Sequence, residues 1–343
     1  MTGAERLAVV VVTHDSAEHL PILLRALDAQ LQADDELIVV DNDSGDATVD
    51  VARGFGQRVQ VIATGRNPGF GAGCHVGARA SSAPLLAFIN PDCDLLDGCI
   101  GALRDAAARH PDWSAWQAAV LLPNGRINTD GGVVHFLGLG WAGDCDEPIE
   151  RLPRESREVA FPSGAALVVR RETWDAIGGL DPSYFMYCED LDLGLRLWLG
   201  GHRVGVVPEA RVVHSYEFVK GPAKWFWLER NRLRTVLSVY PGPLLRRLLP
   251  ALLTAEVGLL AIAASQGWLS AKLRAQRAVL GDLAGIRRRR RRIQASARIT
   301  APEFAARLTA SLTSPYLGVD PEGPIARLQA GYWRLVRRSL GHS

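Results

Sequence analysis

Apolar, β-branched runs alternate with helix-like stretches over the first 90 residues, and this alternation restricts the possible folds more than any other feature. The runs that predict strands are Leu7–Thr13, Glu36–Asp41, Arg58–Thr64 and Leu85–Asn90. The stretches that predict helices between them are 17–30, 46–54 and 71–81. Strands joined through helices need right-handed crossovers and lie mainly parallel in one sheet. The sequence therefore predicts an α/β domain with a mainly parallel sheet flanked by helices.

Acidic residues follow apolar runs or open an amphipathic segment at three places in the chain. The three clusters are Asp41-Asn42-Asp43, Asp92-Cys93-Asp94 and Glu189-Asp190. Ligands of an open α/β sheet bind outside the carboxyl ends of the strands, so carboxylates delivered there converge in space. Together they indicate a site for a metal ion and a diphosphate. Each cluster taken singly is explained equally well by a capped turn or a helix start.

Several of these side chains are candidates for metal binding or acid–base chemistry. Asp92 and Asp94 are separated by one residue, and such a pair can share Mg²⁺ or Mn²⁺ that also bridges substrate phosphates. His214 follows an apolar run and is either a core histidine or a third metal ligand. Glu189 and Asp190 open a helical pattern, where acidic residues favour the helix dipole. A carboxylate there can equally act as a general base on an acceptor hydroxyl.

The run from Arg66 to Gly73 is rich in glycine and precedes a predicted helix. Glycine lets the backbone approach a ligand closely and exposes N–H donors at the positive end of a helix. The spacing does not match the dinucleotide fingerprint G-x-G-x-x-G. A turn with only structural duties explains the glycines equally well. Asp41, Asn42 and Ser44 are suited to hold a nucleobase and ribose through directional hydrogen bonds, or to cap a helix.

The composition sets the number of domains and the cellular compartment. A chain of 343 residues fits one catalytic domain and an appendage, which we expect at 1–240 and 241–343. Five cysteines without a C-x-x-C pair argue against a disulfide framework and a four-thiolate zinc site. The first residues lack the three regions of a signal peptide and are better interpreted as a strand. We expect a cytoplasmic protein.

The C-terminal region is predicted to consist of helices only. Its stretch from Leu244 to Trp268 is strongly apolar, but Glu256 near its middle argues against a membrane span. Between Trp268 and Arg298 stand ten basic residues and one acidic residue. This combination favours an interfacial helix, peripheral on the anionic inner face of the cell membrane. A packed helical tail with a solvated basic face is the alternative. Nucleic acid is not expected, because the arginine run lacks interleaved aromatic residues and the rest of the chain is acidic.

The order of the motifs along the chain is more specific than any single motif. V-V-D-N-x-S lies near residue 41, N-x-G-F-x-x-G near 67, N-P-D-x-D at 90, S-G-A at 163 and Y-x-E-D-x-D-L-x-x-R from 187, with a histidine later. This series resembles the family 2 inverting glycosyltransferases of GT-A fold, especially the bacterial branch with rhamnosyltransferases and galactofuranosyltransferases. The resemblance covers roughly residues 7 to 240. It implies a Rossmann-like GT-A domain followed by an α-helical C-terminal extension.

The resemblance also implies roles for individual residues. Asp190 would be the catalytic base, with Glu189 in support, and Asp92, Asp94 and His214 would hold the divalent metal. The residues implied to bind the nucleotide-sugar donor are Thr13, Asp15, Asp41, Asn42, Asn67, Gly69, Phe70, Gly71, Asp92, Arg230 and Asn231. Asp41 would contact the nucleobase, and the last two would lie near the diphosphate or the acceptor. One departure is Cys74, where relatives often have Asn.

The implied reaction is transfer of a sugar from a nucleoside diphosphate to an acceptor hydroxyl with inversion at the anomeric carbon. The branch favours dTDP-rhamnose as donor, with UDP-linked sugars next, and a glycan or lipid-linked acceptor in cell-surface polysaccharide or glycoconjugate synthesis. Two alternatives stay open at this point. A sugar-nucleotide nucleotidyltransferase would place a Gly-rich motif with a basic residue behind the first strand, where this chain has Thr13-His14-Asp15-Ser16. A non-catalytic module that binds nucleotide sugars or polyanions would have no need for Asp92, Asp94 and Asp190 together.

Overall fold

The structure is a computed structural model that describes residues 5–215, 223–313, 320 and 322–341. The chain forms two compact units that interleave along the sequence. The first unit comprises Met1–Gly132, Ala142–Leu193 and His202–Tyr216, and the second comprises Val133–Trp141, Gly194–Gly201 and Glu217–Ser343. The expected domain boundary at 240/241 stays a prediction.

Strands are concentrated in the first unit, and the C-terminal region is helical. The strands are β1 Leu7–Thr13, β2 Glu36–Asp41, β3 Val59–Ala63, β4 Leu85–Ile89, β5 Cys93–Leu95, β6 Trp113–Leu121, β7 Ile127–Thr129, β8 Gly132–Val134, β9 Gly140–Ala142, β10 Arg157–Glu158, β11 Ala166–Arg170 and β12 Arg203–His214. The helices are α1 Leu20–Gln30, α2 Thr48–Gly54, α3 Phe70–Arg79, α4 Cys99–Arg109, α5 Arg171–Ile177, α6 Glu189–Leu199, α7 Ala223–Val239, α8 Gly242–Ser265, α9 Leu269–Gly281, α10 Leu283–Ala295, α11 Ala301–Ala305 and α12 Pro324–Leu340.

The main sheet has the order β10-β12-β6-β11-β4-β1-β2-β3. Strand β1 pairs in parallel with β2 and β4, and β2 pairs in parallel with β3. Strand β11 runs antiparallel between β4 and β6, while β12 and β6 are again parallel. The predicted α/β class with a mostly parallel sheet, flanking helices and a helical C-terminal region is confirmed. The parallel strands deliver the residues that follow them to one edge of the sheet.

Burial explains why the N-terminal half was easy to predict. Every residue of β1 is buried, because the strand lies between two neighbours under helices on the sheet faces, and such strands have continuous apolar sequences. Helix α1 presents one apolar side to the same core through Leu20, Leu23, Leu24 and Leu27. This spacing is the helical period that the sequence shows.

Strand β6 is a central strand that the sequence pattern did not predict. All nine of its residues are buried, and its sequence W-S-A-W-Q-A-A-V-L contains small and polar residues without alternation. The two apolar stretches at 203–207 and 211–214 belong to one strand, β12. Its register against β6 shifts between Val207 and Arg211, so the polar interruption is a bulge inside a continuous strand.

A buried ion cluster joins three helices of the second unit. Glu229 and Arg232, both on α7, form an ion pair. Glu256 of α8 forms ion pairs with Arg232 and with Lys272, which lies on α9. Lys272 also bonds Glu229. Burial by itself would raise the pKa of Glu256, but Arg232 and Lys272 outweigh it and lower this pKa to about 2. These four residues, named here the ion cluster, hold α8 against α7 and α9.

Part of the arginine run is structural. Arg290 Nη1 of α10 donates to the carbonyl oxygens of Leu237 at 3.0 Å and Tyr240 at 2.8 Å, where α7 ends. Arg289 Nη1 donates to Ser238 Oγ. Cations at a helix C-terminus satisfy carbonyls that have no intrahelical partner. The interpretation of the whole run as a partner-binding segment is therefore limited to its other arginines.

Candidate active site

The ends of β1 and β2 form the first part of the site. Thr13 and Asp41 are paired in the parallel register of these strands. Asp41 is buried, and its Oδ1 accepts hydrogen bonds from Thr13 Oγ1 at 3.1 Å and from Ser44 Oγ. Its Oδ2 accepts from Ser44 N at 3.0 Å. The Asp41 carboxylate thus shapes the loop after β2, and its predicted contact with a nucleobase stays a prediction.

Two neighbours of Asp41 contribute to the same corner. Asp15 has φ +49°, and its Oδ1 accepts from Gly45 N at 2.7 Å, which ties the loops after β1 and β2 together. Asn42 Nδ2 donates to Gly69 O at 3.2 Å. Asn42 Oδ1 is buried and finds no hydrogen-bond donor in the described part of the chain. A buried acceptor without a donor is costly, so this oxygen is suited to receive a hydrogen bond from a ligand.

The Gly-rich run is a turn followed by a helix that starts one residue earlier than the pattern suggests. Asn67 Oδ1 accepts from Gly69 N at 3.0 Å, and α3 begins at Phe70, so Gly71 is already helical. Gly69 has φ +90°, and a Cβ there would lie 2.5 Å from the carbonyl oxygen of Phe185. The close approach that glycine permits here is to the protein's own backbone, and donor contacts by Asn67, Gly69, Phe70 and Gly71 stay predictions.

The segment packed on that turn has unusual backbone geometry. Phe185, Tyr187 and Cys188 all have φ between +63° and +65° without being glycine. Met186 N donates to Tyr184 O at 2.7 Å, which makes a γ-turn centred on Phe185. Phe70 N donates to Phe185 O at 2.9 Å, so the start of α3 holds this turn. Such backbone persists only where surrounding structure enforces it, and it clusters at active sites.

Glu189 and Asp190 follow directly at the start of α6. Asp190 Oδ2 accepts from Gly164 N at 3.2 Å, and its Oδ1 accepts from Leu191 N at 2.7 Å. Burial raises the pKa of Asp190, and burial together with the negative charge of Asp190 raises the pKa of Glu189. Glu189 Oε2 is buried without a hydrogen-bond partner among the described residues. The pair therefore consists of an oriented carboxylate beside a carboxyl group that keeps its proton to higher pH.

Asp92, which precedes β5, lies in contact with His214 at the end of β12. His214 Nε2 lies 3.1 Å from Asp92 Oδ1. Asp92, Cys93 and His214 each place one potential ligand atom within 4.8 Å of the others. Carboxylate and imidazole groups are both common ligands of divalent metal ions. The residues present therefore fit a divalent ion at this point.

Asp94 and Cys93 occupy the short strand β5, which pairs with the end of β12. His214 is opposite Cys93, and Val213 is opposite Asp94. Side chains of neighbouring residues in a strand point to opposite faces, so Asp94 is on the other face from Cys93. Burial raises the pKa of the Cys93 thiol well above its usual range, and its Sγ is 3.4 Å from Ala165 O. A protonated thiol is a poor metal ligand, and the assignment of Asp94 as a ligand stays a prediction.

Arg230 and Asn231 lie on α7, in the second unit. Arg230 Nε donates to Asn231 Oδ1 at 3.0 Å, and its guanidinium carbon is 4.5 Å from the ring centroid of Trp227. Asn231 is fully buried. The hydrogen bond and the cation–π contact hold the Arg230 guanidinium in one orientation. That Arg230 and Asn231 lie near the diphosphate or the acceptor stays a prediction.

Sequence reasoning did not assign a role to Gly164 or to Phe185. The S-G-A motif at 163 belongs to the family pattern, but only the structure shows that the Gly164 N–H is directed at Asp190. The contact between Gly69 and Phe185 joins residues 116 positions apart, and positive φ at an aromatic residue has no sequence signature.

Comparison with known proteins identifies the family. A family model described as Glycosyl transferase family 2 matches residues 8–122, and one described as Glycosyl transferase family group 2 matches residues 147–272. An N-acetylglucosaminyl-diphospho-decaprenol L-rhamnosyltransferase of Mycobacterium tuberculosis is 32% identical over 231 residues, which are 61% of this chain and 75% of the relative.

Two solved structures share the fold. A mannosyltransferase, PcManGT of Pyrobaculum calidifontis, in complex with GDP-Man and Mn²⁺, has a TM-score of 0.53 at 17% identity and covers 89% of this chain and 87% of its own. TarS 1-349 of S. aureus in complex with UDP has a TM-score of 0.54 at 16% identity, over 98% and 91% of the two chains. The relative of 32% identity is a glycosyltransferase and is matched over 75% of its length. This match supports a glycosyltransferase over the two alternatives, a nucleotidyltransferase and a non-catalytic module. The ordered motifs, the GT-A-like fold and this relative agree: the chain belongs to glycosyl transferase family 2.

Proposed function

We propose that this glycosyltransferase moves a sugar from a nucleoside diphosphate to a hydroxyl of a lipid-linked or glycan acceptor, with inversion. The observation that carries the proposal is the geometry of Asp190, whose two oxygens are oriented by Gly164 N and Leu191 N. A fixed carboxylate with a raised pKa, next to a carboxyl group that remains protonated, is suited to accept one proton from an acceptor hydroxyl.

The steps assigned to this chain's own residues follow from that geometry. Asp190 takes the proton of the acceptor hydroxyl while the hydroxyl oxygen attacks the anomeric carbon of the sugar. The bond from that carbon to the diphosphate oxygen breaks, and the nucleoside diphosphate leaves. Glu189 stays neutral, so it adds no second negative charge beside the base. Asp92 and His214, with Asp94 as the further predicted ligand, would hold a divalent ion. Such an ion would supply positive charge that neutralises the diphosphate leaving group.

The favoured donor is dTDP-rhamnose, with UDP-linked sugars next. The mycobacterial relative, named a rhamnosyltransferase that acts on a decaprenol-linked substrate, supports a rhamnosyl donor and a lipid-linked acceptor. Thermal unfolding in the presence of Mn²⁺ and each sugar nucleotide tests the choice. A donor present at 100 times its Kd stabilises the fold by about 2.7 kcal/mol. A larger rise in Tm with a UDP-sugar than with dTDP-rhamnose would reverse the order.

The base is tested by Asp190→Asn. We expect donor binding, measured by calorimetry, to stay within about twofold, and transfer to fall by at least about a thousandfold because the proton has no acceptor. Asp175→Asn, at an exposed position of α5, is the control and should leave both unchanged. Near-normal turnover of the Asp190→Asn variant would refute the role.

The metal site is tested by chelation and by Asp92→Asn. We expect EDTA to abolish transfer and Mn²⁺ to restore it. Mn²⁺ binding, followed by electron paramagnetic resonance, should weaken at least about tenfold in the variant, because one of its few protein ligands is lost. Full activity after complete chelation would exclude a catalytic metal.

A further inference from the structure

The outward side of α8 is apolar over several turns. Leu249, Leu253 and Val257 are 52%, 61% and 70% exposed. They are four residues apart, so they form a row along one side of the helix. Single exposed apolar side chains are ordinary, but a continuous row indicates a surface that meets another apolar phase. Among the described residues, α8 is also the one helix long and apolar enough, by length and composition alone, to cross a membrane.

The charge within α8 points inward. Glu256 is the one charged residue between Arg247 and Ser265. It bonds Arg232, Lys272 Nζ at 2.7 Å and Gln276 Nε2 at 2.8 Å. Glu256 is the residue whose charge argues against a membrane span. Its charge is neutralised by Arg232 and Lys272 of the ion cluster. The outer face of α8 can meet hydrocarbon without exposing a charge to it.

The same unit exposes further apolar and basic side chains. On α9 and α12 the exposed large apolar residues are Leu273, Leu280, Ile325, Leu328 and Leu335. On α10 Arg287, Arg288, Arg291 and Arg292 are exposed, at spacings that place them on one side of the helix. Residues 242–343 contain seventeen Lys and Arg and five Asp and Glu, a net charge of +12 in a chain of +2.

This combination decides between two possible occupants of the apolar row. A second copy of the chain would bring a second charge of +12 to the contact, so like charges would oppose association. A bilayer with anionic lipids satisfies both features, because its acyl chains accept the leucines and its headgroups accept the arginines. We propose that the second unit binds the surface of an anionic bilayer, with α8 lying in the interface plane and the row Leu249, Leu253 and Val257 inserted among the acyl chains.

Vesicle flotation of the full chain tests this inference without donor or acceptor, so its result is independent of sugar transfer. The vesicles are phosphatidylcholine with about 30 mol % phosphatidylglycerol, or phosphatidylcholine alone. We expect the wild type to float with the anionic vesicles. The double variant Leu253→Glu and Val257→Glu should bind at least about tenfold less, since each change replaces inserted apolar surface by a charge.

The control for the apolar row is Ile22→Glu, at an exposed apolar position of α1 in the first unit. It should float like the wild type. If the double Glu variant has a lowered Tm, the milder replacement of Leu253 and Val257 by Gln takes its place. This Gln variant should still float less than the wild type. Normal flotation of a folded row variant would overturn the proposal.

The arginines are tested separately by replacing Arg287, Arg288, Arg291 and Arg292 with Gln. Each lost charge should weaken binding to anionic vesicles about fivefold and leave binding to neutral vesicles unchanged. Replacement of Arg25 and Arg53, exposed in the first unit, is the control. Failure of the wild type to float would overturn the proposal. So would analytical ultracentrifugation that shows a dimer broken by the Glu variant without any vesicle binding, because the row would then join two copies of the chain.

Discussion

Glu189 and Asp190 are adjacent carboxyl groups that burial makes difficult to ionise together. The negative charge of Asp190 raises the pKa of Glu189 beyond the effect of burial, so Glu189 is the group that holds its proton longer. Its Oε2 has no hydrogen-bond partner among the described residues, so this oxygen has no donor there when the group ionises. Beside the proposed base Asp190, this arrangement keeps one negative charge where two would repel each other.

The raised pKa of Glu189 predicts a loss of stability with pH. A group whose pKa is higher in the folded state stabilises the fold fully below the unfolded value, about 4.3 for Glu, and loses that contribution as pH rises through the folded value. Glu189→Gln cannot ionise, so the free energy of unfolding, measured with urea across this range, should fall less with pH than in the wild type. Glu172→Gln, at an exposed position of α5, should retain the wild-type slope. Equal slopes for Glu189→Gln and wild type would contradict the shift.

A comparison of alanine variants at Gly69 and Gly125 tests whether the γ-turn at Phe185 positions Asp190. A Cβ at Gly69 would lie 2.5 Å from Phe185 O and displace the γ-turn that leads to Asp190. Gly125 has a similar φ of +80° but open space around its Cβ. Both Gly→Ala variants should lose about 1 kcal/mol through backbone strain, and Gly69→Ala should lose more because of the clash with Phe185. Only Gly69→Ala should also lower kcat, by at least about tenfold. Equal kcat values for the two variants would show that the turn does not position Asp190.

At the scale of elements, strands with continuous apolar sequence were predictable and the parts that depend on distant contacts were not. Strands β1 and β2 were predicted with their observed ends, because burial on both faces leaves an unbroken β-branched run. Strand β6 was missed because its alanines and polar residues are enclosed by its neighbours in the fold. The pairing of Asp92 with His214 was inferred from the family resemblance. The direction of Gly164 N–H towards Asp190 has no local signal.

The ion cluster predicts the energetic link between α7, α8 and α9. Lys272 is fully buried with Glu229 and Glu256 as partners. Lys272→Met leaves buried carboxylates with only Arg232 to balance them. We expect it to cost about 3–5 kcal/mol of unfolding free energy, measured with urea. Arg274→Met, at an exposed position of the same helix, should change stability by less than about 0.5 kcal/mol. A small effect of Lys272→Met would mean that apolar packing alone joins these helices.

For the whole molecule, the uneven distribution of charge predicts how attachment to a bilayer responds to salt. The last hundred residues are strongly basic while the remainder is acidic. Electrostatic interactions extend over about 10 Å at 0.1 M salt and about 3 Å at 1 M. The contribution of the arginines to bilayer binding should therefore fade at high salt, while the contribution of the apolar row persists. Flotation with anionic vesicles should therefore weaken at high salt without vanishing. Complete release by salt would show that α8 does not insert.

The position of β11 has a consequence for synthesis of the chain. Strands β1 to β4 form one contiguous half of the sheet by residue 89, whereas β11 and β12, which complete the other half, end at residues 170 and 214. A growing polypeptide emerges N-terminus first, and non-local pairings form late. We expect the half of the sheet formed by β1 to β4 to be assembled while translation is still under way, and Asp190 to reach its Gly164 partner only after β11 and the start of α6 have left the ribosome.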